Sequence, residues 1–192
     1  MAARALEPDY FKALYASDPD PWQFASSLYE DAKYTATLAA LSQPRYASAV
    51  EIGCSIEMLT ARLAANCAAP LGIDVDEVPL HLARQRCAGL SNVEFAMQRL
   101  PDDAPAGQFE LIMLSEVLYY FDPPQLGRLA DVVRGMALPS ATLMLVHRLG
   151  PPPDYPLTGD SAVAAFEFAL PKADSMPLAR TAEYRLDVLR MP

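Results

Sequence analysis

Val50-Glu51-Ile52-Gly53-Cys54-Ser55 and Pro70-Leu71-Gly72-Ile73-Asp74 are the two stretches whose reading decides the fold. Each is a short apolar run, and the first stops at a glycine, the second at an aspartate. Asp74 follows Gly53 by 21 positions, near the roughly 20 expected of a nucleotide-binding βαβ unit. Between the runs, Glu57 to Cys67 reads as the crossing helix. The first strand spans Ser48 to Ile52 and the second Pro70 to Asp74.

The same alternation continues outward. Asp76 opens a helix that ends at Gly89, and Val93 to Ala96 forms a third strand. Phe109 to Leu114 is a fourth, too apolar for a sheet that shows one face to water. Asp122-Pro123 supplies an N-cap and a first-turn proline for the next helix, which Pro139 stops. Thr142 to His147 is a fifth strand. This order predicts an α/β fold, Rossmann-like, with a mainly parallel central sheet and helices on both faces.

Upstream, Asp9 to Leu41 is helical in pattern but broken by Ser17-Asp18-Pro19-Asp20-Pro21, because two prolines forbid a continuous helix. Ser27 and Glu30 form a capping box. The helix they start places Leu28, Thr35, Leu38 and Leu41 on one side and ends before Pro44. Downstream, Pro151-Pro152-Pro153 enforces an extended connector. Gly159-Asp160 marks a helix start, and Tyr184 to Val188 alternates like a strand. A single domain, 1–192, is expected, with an N-terminal helical lid (1–44), a ligand-binding core (45–149) and a C-terminal substrate-side segment (150–192).

The chain has 192 residues, 52% hydrophobic and 20% charged, with a net charge of −9. This is globular composition. No apolar stretch approaches the roughly 20 residues of a bilayer span, and Arg4, Glu7, Asp9 and Lys12 interrupt any signal-peptide core. A cytoplasmic protein without membrane contact is expected. The negative field and the lack of a Lys/Arg cluster argue against nucleic acid. Cys54, Cys67 and Cys87 match no metal or redox spacing, so no metal is expected.

Ligands of open parallel sheets bind beyond the carboxyl ends of the strands. The groups there are Glu51-Ile52-Gly53-Cys54-Ser55, Asp74, Gln98-Arg99 and Ser115-Glu116. Gly53 lets backbone approach a ligand, and Asp74 can accept both hydroxyls of a ribose. A dinucleotide needs Gly-x-Gly-x-x-Gly for its pyrophosphate. Here Ser55 and Glu57 stand nearby instead of glycines, which disfavours a nucleotide-dependent oxidoreductase. S-adenosylmethionine lacks phosphate and carries a sulfonium and an ammonium, so acidic surroundings suit it.

Val50-Glu51-Ile52-Gly53-Cys54 with Leu59-Thr60 resembles the first motif of class I S-adenosylmethionine-dependent methyltransferases. Phe109 to Tyr120, Asp20-Pro21-Trp22 with Tyr29-Glu30 and Lys33-Tyr34, Tyr155 to Asp160, and Tyr184 to Leu189 are similar to segments of one branch, the nodulation protein S family and its close bacterial relatives. The resemblance implies transfer of a methyl group from S-adenosylmethionine to an amino or hydroxyl group of a small or sugar-like acceptor. It places Glu51, Gly53, Cys54 and Ser55 around the methionine moiety, Asp74 on the ribose and Val75 against the adenine. Arg99 and Leu100 fall at the adenine edge, where an acidic residue is commoner than Arg99. Ser115 and Glu116 stand beside the methionine moiety, with Tyr119 and Tyr120 near the acceptor. Trp22, Tyr29 and Lys33 form the lid, Trp22 on the acceptor side. Glu116 or Tyr119 would take the acceptor's proton.

Two positions depart from the family pattern. Val163 replaces a frequent histidine, and Glu57 replaces a glycine. A carboxylate placed within roughly 5 Å of the cofactor's own repels it by about 3 kcal/mol at an effective dielectric near 20. Glu57 thereby supports an alternative: a methyltransferase-like binding protein whose catalysis is impaired.

Overall fold

The computed structural model describes residues 4–151 and 154–192; Pro152 and Pro153 of the proline connector lie outside the described residues. The chain divides into two compact units, Glu7–Gln98 and Arg99–Pro192, the second of which also includes the residues before Glu7.

Glu7–Gln98 contains α1 (Pro8–Ser17), α2 (Leu28–Ala39), β1 (Tyr46–Ile52), α3 (Thr60–Leu63), β2 (Cys67–Asp74), α4 (Glu77–Arg86) and β3 (Glu94–Met97). β1 pairs with β2 and β2 with β3, all parallel, with Glu51 opposite Gly72 and Asp74 opposite Met97. A parallel pair needs a crossover, and α3 and α4 supply the two. Val50, Ile52, Ile73, Leu59, Leu63 and Leu80 are buried between the strands and these helices. Asp76 caps α4 by accepting from the Val78 amide at 2.8 Å, one of the orphan donors of a helix start.

Gly72 marks a close approach. A Cβ there would lie 2.7 Å from the Phe95 ring and 2.9 Å from the Cys54 sulfur, so β2 packs through a position that admits no side chain.

Arg99–Pro192 contains β4 (Phe109–Ser115), a 3₁₀ turn (Leu118–Tyr120), α5 (Pro123–Met136), β5 (Ala137–Arg148), α6 (Gly159–Phe168), β6 (Asp174–Arg180) and β7 (Tyr184–Arg190). β4 and β5 are parallel, β5 and β7 antiparallel, and β7 and β6 antiparallel. Leu111, Ile112, Met113 and Leu114 are inaccessible, as are Leu143, Met144, Leu145 and Val146; both strands read as continuous apolar runs because both faces are covered. α6 packs against α5, the 3₁₀ turn and β5. Its first residue fits only as glycine, since a Cβ on Gly159 would lie 2.2 Å from the Arg148 carbonyl oxygen.

The architecture is the expected α/β one, with its parallel strands where the sequence places them. Four local expectations need correction. The helix after β1 runs only from Thr60 to Leu63, not from Glu57 to Cys67. Ser55 (φ 48°) and Glu57 (φ 83°) take the left-handed conformation that stops a helix beginning sooner, and Cys67 already pairs with Tyr46 in the ladder. α2 buries Glu30, Lys33, Tyr34 and Thr37, whereas Leu28 is 87% exposed and Thr35 also faces out. Its start is a one-way cap: Ser27 accepts from the Glu30 amide at 3.2 Å, and the Glu30 carboxylate turns to Lys33 at 2.9 Å. Pro139 does not end α5, which stops at Met136; it lies inside β5, beside Ser140 at φ 61°, where the register with β4 slips between Phe109 and Leu111.

Candidate functional site

Glu7–Gln98 assembles the expected cofactor residues at the carboxyl ends of β1 and β2. Gly53 leaves β1 at φ 75°, in the left-handed region that glycine enters without cost. Its amide and that of Cys54 both donate to the Ile73 carbonyl, at 2.8 and 3.0 Å. This pins the loop to β2. Asp74 then accepts from the Ser55 amide at 2.9 Å through Oδ2 and from the Asp76 amide at 3.3 Å through Oδ1. Burial raises its pKa to about 6, against the lowering effect of the Ser55, Asp76 and Val75 amides. Val75 follows it directly, half-buried.

Glu51 is 4% exposed and accepts from the Thr60 hydroxyl. Burial pushes its pKa up to about 8, opposed by Thr60 and aided by the charges of Glu57 and Asp74. No cationic side chain pairs with it among the described residues. A buried carboxylate in that condition is costly unless a cation reaches it.

Tyr15 is a residue that reading the chain locally misses. Its hydroxyl donates to Ser55 Oγ at 2.9 Å, and its ring meets Trp22 edge-on at 5.7 Å between centroids. Trp22 in turn stacks on Phe24 at 5.4 Å. The tyrosine thus ties the proline-broken segment to the Ser55 loop, and through the Ser55 amide to Asp74. Asp20 folds this segment by accepting from the Phe24 and Ala25 amides at 2.8 and 2.9 Å. Tyr29 and Lys33 form a group of their own: Lys33 pairs with Glu30 at 2.9 Å and sits 4.9 Å over the Tyr29 ring.

Glu57 does not project from a helix N-terminus. Its carboxylate is turned to the end of α4, where Cys87 donates to Oε2 at 3.3 Å and Arg86 lies 3.6 Å from Oε1.

Arg99–Pro192 assembles the second group. Ser115 ends β4, and Glu116 follows at φ 58° with its amide donating to the Val146 carbonyl at 2.8 Å. Glu116 Oε2 accepts from the Tyr119 hydroxyl at 2.7 Å and from the Arg148 amide at 3.0 Å. The Tyr119 pKa is held well above its ordinary value, by burial first and then by the Glu116 charge. Tyr119 is therefore the proton donor of the pair. Tyr155 stacks on Tyr119 at 5.2 Å, and Tyr120 stands edge-on to both rings, at 4.8 and 4.9 Å. His147, fully buried, accepts the Leu118 amide at 3.1 Å and meets the Tyr119 ring edge-on at 5.6 Å. Arg99 is half-exposed near Asp102, and Leu100 is buried.

Tyr155 and His147 were not singled out as site residues. They reach Tyr119 from the connector before α6 and from the end of β5, and the position of His147 at a strand end was its only local signal.

Comparison with known proteins shows the fold and the family. The crystal structure of the N-methyltransferase NodS from Bradyrhizobium japonicum WM9, in complex with S-adenosyl-L-homocysteine, superposes with a TM-score of 0.80 at 24% identity, covering 96% of this chain and 97% of that one. A Pseudomonas syringae protein assigned as a methyltransferase is 32% identical, with a TM-score of 0.74, covering 85% of this chain and 99% of that one. Nodulation protein S of Sinorhizobium fredii (strain NBRC 101917 / NGR234) is 30% identical over 104 residues, which are 54% of this chain and 48% of that protein. The match spans about half the length of the curated relatives. The profile of the family described as Nodulation protein S (NodS) matches residues 9–138, and the chain belongs to that family.

Proposed function

We propose that this protein is a cytoplasmic S-adenosylmethionine-dependent methyltransferase acting on an amino or hydroxyl group of a small molecule or sugar-like acceptor. The observation that carries the reading is Asp74: a buried carboxylate at the end of β2, oriented by the Ser55 and Asp76 amides. The donor set of this loop fits the cofactor. Asp74 is the acceptor for ribose hydroxyls, and Glu51, buried without a cationic partner, suits the ammonium of the methionine moiety. Cys54 and Ser55 line the same loop, with Val75 for the adenine. The family resemblance further assigns Arg99, Leu100 and Ser115 to the cofactor, and Tyr29 and Lys33, with Trp22, to the lid.

When bound, the cofactor supplies an electrophilic methyl group. The protein's task is to hold the acceptor atom in line with it, roughly 3–3.5 Å away, and to take the acceptor's proton. Glu116 is the base in this reading and Tyr119 the residue that orients it, because the phenol already donates to the carboxylate. By the family resemblance, Tyr120 and Trp22 are on the acceptor side. A carboxylate favours an amine, whose protonated form it attracts before relieving it of its proton.

Titration calorimetry with S-adenosylhomocysteine tests the reading. Asp74→Ala removes charge-assisted hydrogen bonds worth on the order of 1.5–3 kcal/mol, so affinity should fall roughly ten- to hundredfold while circular dichroism stays unchanged. Equal affinity in the variant overturns the ribose assignment. No described helix is long and apolar enough to span a bilayer.

A further inference from the structure

Glu57 is a buried carboxylate on a backbone that favours glycine, and its environment shows how the chain holds it. The residue keeps the glycine-like backbone, φ 83°. Both ends of its peptide are fixed: its amide donates to the Cys54 carbonyl at 2.9 Å, and its carbonyl accepts from the Ala61 amide at 2.9 Å. Each carboxylate oxygen then has its own partner from the last turn of α4 and the residue after it. Oε2 accepts from the Cys87 thiol at 3.3 Å, and Oε1 lies 3.6 Å from Arg86 Nη1. That guanidinium nitrogen is itself steadied by the Met58 sulfur at 3.1 Å. The Cys87 thiol is pushed up to about 12, by burial first and by Glu57, so it stays protonated and able to donate.

Resting on the proposed cofactor reading, the geometry points to Arg86 and Cys87 as positioning residues that hold the Glu57 carboxylate off the methionine end of the cofactor. Without this latch, the carboxylate keeps only the more distant field of Arg62 and its charge bears on Glu51, a group that the cofactor needs in that reading. Arg86 and Cys87 touch no reacting atom in this scheme; they act through Glu57 alone.

A mutant cycle read by S-adenosylhomocysteine calorimetry tests this. Arg86→Gln with Cys87→Ala should weaken binding about tenfold. Adding Glu57→Gly to that pair should restore affinity to within about threefold of the parent, while Glu57→Gly alone changes it little, the non-additivity expected of residues in contact. Cys87→Ser, which keeps a donor, should retain parental affinity. A purely structural role for Arg86 and Cys87 would not be rescued by removing Glu57. Unchanged affinity in the double variant, or failure of Glu57→Gly to rescue it, overturns the latch and leaves the cofactor reading intact. Binding by Glu57→Gly but not by the parent also overturns the latch alone. Binding by neither overturns the proposed function and the latch together.

Discussion

Glu51 shows how a single buried carboxylate links stability to ligand binding. Its pKa lies near 8 in the folded chain against an ordinary 4.5, chiefly through burial. A raised acid favours the folded state while it is protonated. That contribution is complete below about pH 4.5 and is lost as pH rises through 8. Between pH 6 and 8, where Asp74 with its pKa of about 6 is already ionising, the melting temperature of the ligand-free protein should therefore fall. Over the same interval affinity for S-adenosylhomocysteine should rise, because the ligand's ammonium pairs with the ionised form. Glu51→Gln should flatten both trends and weaken binding at pH 8. The same slopes in the variant would remove Glu51 from the cofactor site. The candidates at strand ends were readable in advance because the topology alone puts them at the ligand-binding edge. Tyr15 and Tyr155 were not, since helices and strands separate each from its partner along the chain. Left-handed backbone at Ser55, Glu57 and Glu116 was equally hidden: each is a polar residue in a conformation that side chains usually avoid, and such strain gathers at functional sites.

Elements were legible in proportion to how fully they are buried. β4 and the second half of β5 stand out as apolar runs because every residue on them but Glu110 and Arg148 is buried. β6 was invisible: Asp174–Arg180 is almost wholly exposed and contains Pro177, which costs a ladder donor, and only pairing with β7 makes it a strand. The proline within β5 misled for a related reason, since its bulge absorbs what would otherwise be a stop. α2 inverted its expected face because a buried Lys33–Glu30 pair took the place that an apolar stripe would hold. The stretch from Asp18 to Lys33 carries a prediction of its own. Its first half is held by side-chain caps from Asp20 and by ring contacts of Trp22, not by a regular ladder. Such segments open at low free-energy cost. Hydrogen exchange there should slow when S-adenosylhomocysteine is added, as the chain closes over the ligand. Equal protection with and without ligand would show that the segment is no lid.

At the scale of the whole molecule, net charge and fold together separate two ligands that share an adenosine. NAD brings a pyrophosphate, which needs unobstructed amides at a helix N-terminus. Here the loop after β1 carries Ser55 and Glu57, its helix is one turn long, and the molecule's net charge is −9. Both the local and the summed field oppose phosphate. In the proposed reading S-adenosylhomocysteine offers Asp74 its ribose and Glu51 its ammonium, and it has no phosphate. A ligand that binds only the folded state adds about 2.7 kcal/mol at a hundredfold excess over its dissociation constant. For a chain of this length each kcal/mol moves the melting temperature by roughly 2–4 °C. S-adenosylhomocysteine at that excess should therefore raise it by about 5–11 °C, and NAD at the same concentration should leave it within about 1 °C. The comparison also tests the weight given to phosphate. Adding salt screens the field over a Debye length of about 8 Å at physiological strength, so any residual NAD effect should grow with salt and the S-adenosylhomocysteine shift should not. A larger shift with NAD at low salt would mean that the loop after β1 is a phosphate cradle after all, and the assignment of this site to S-adenosylmethionine would fall.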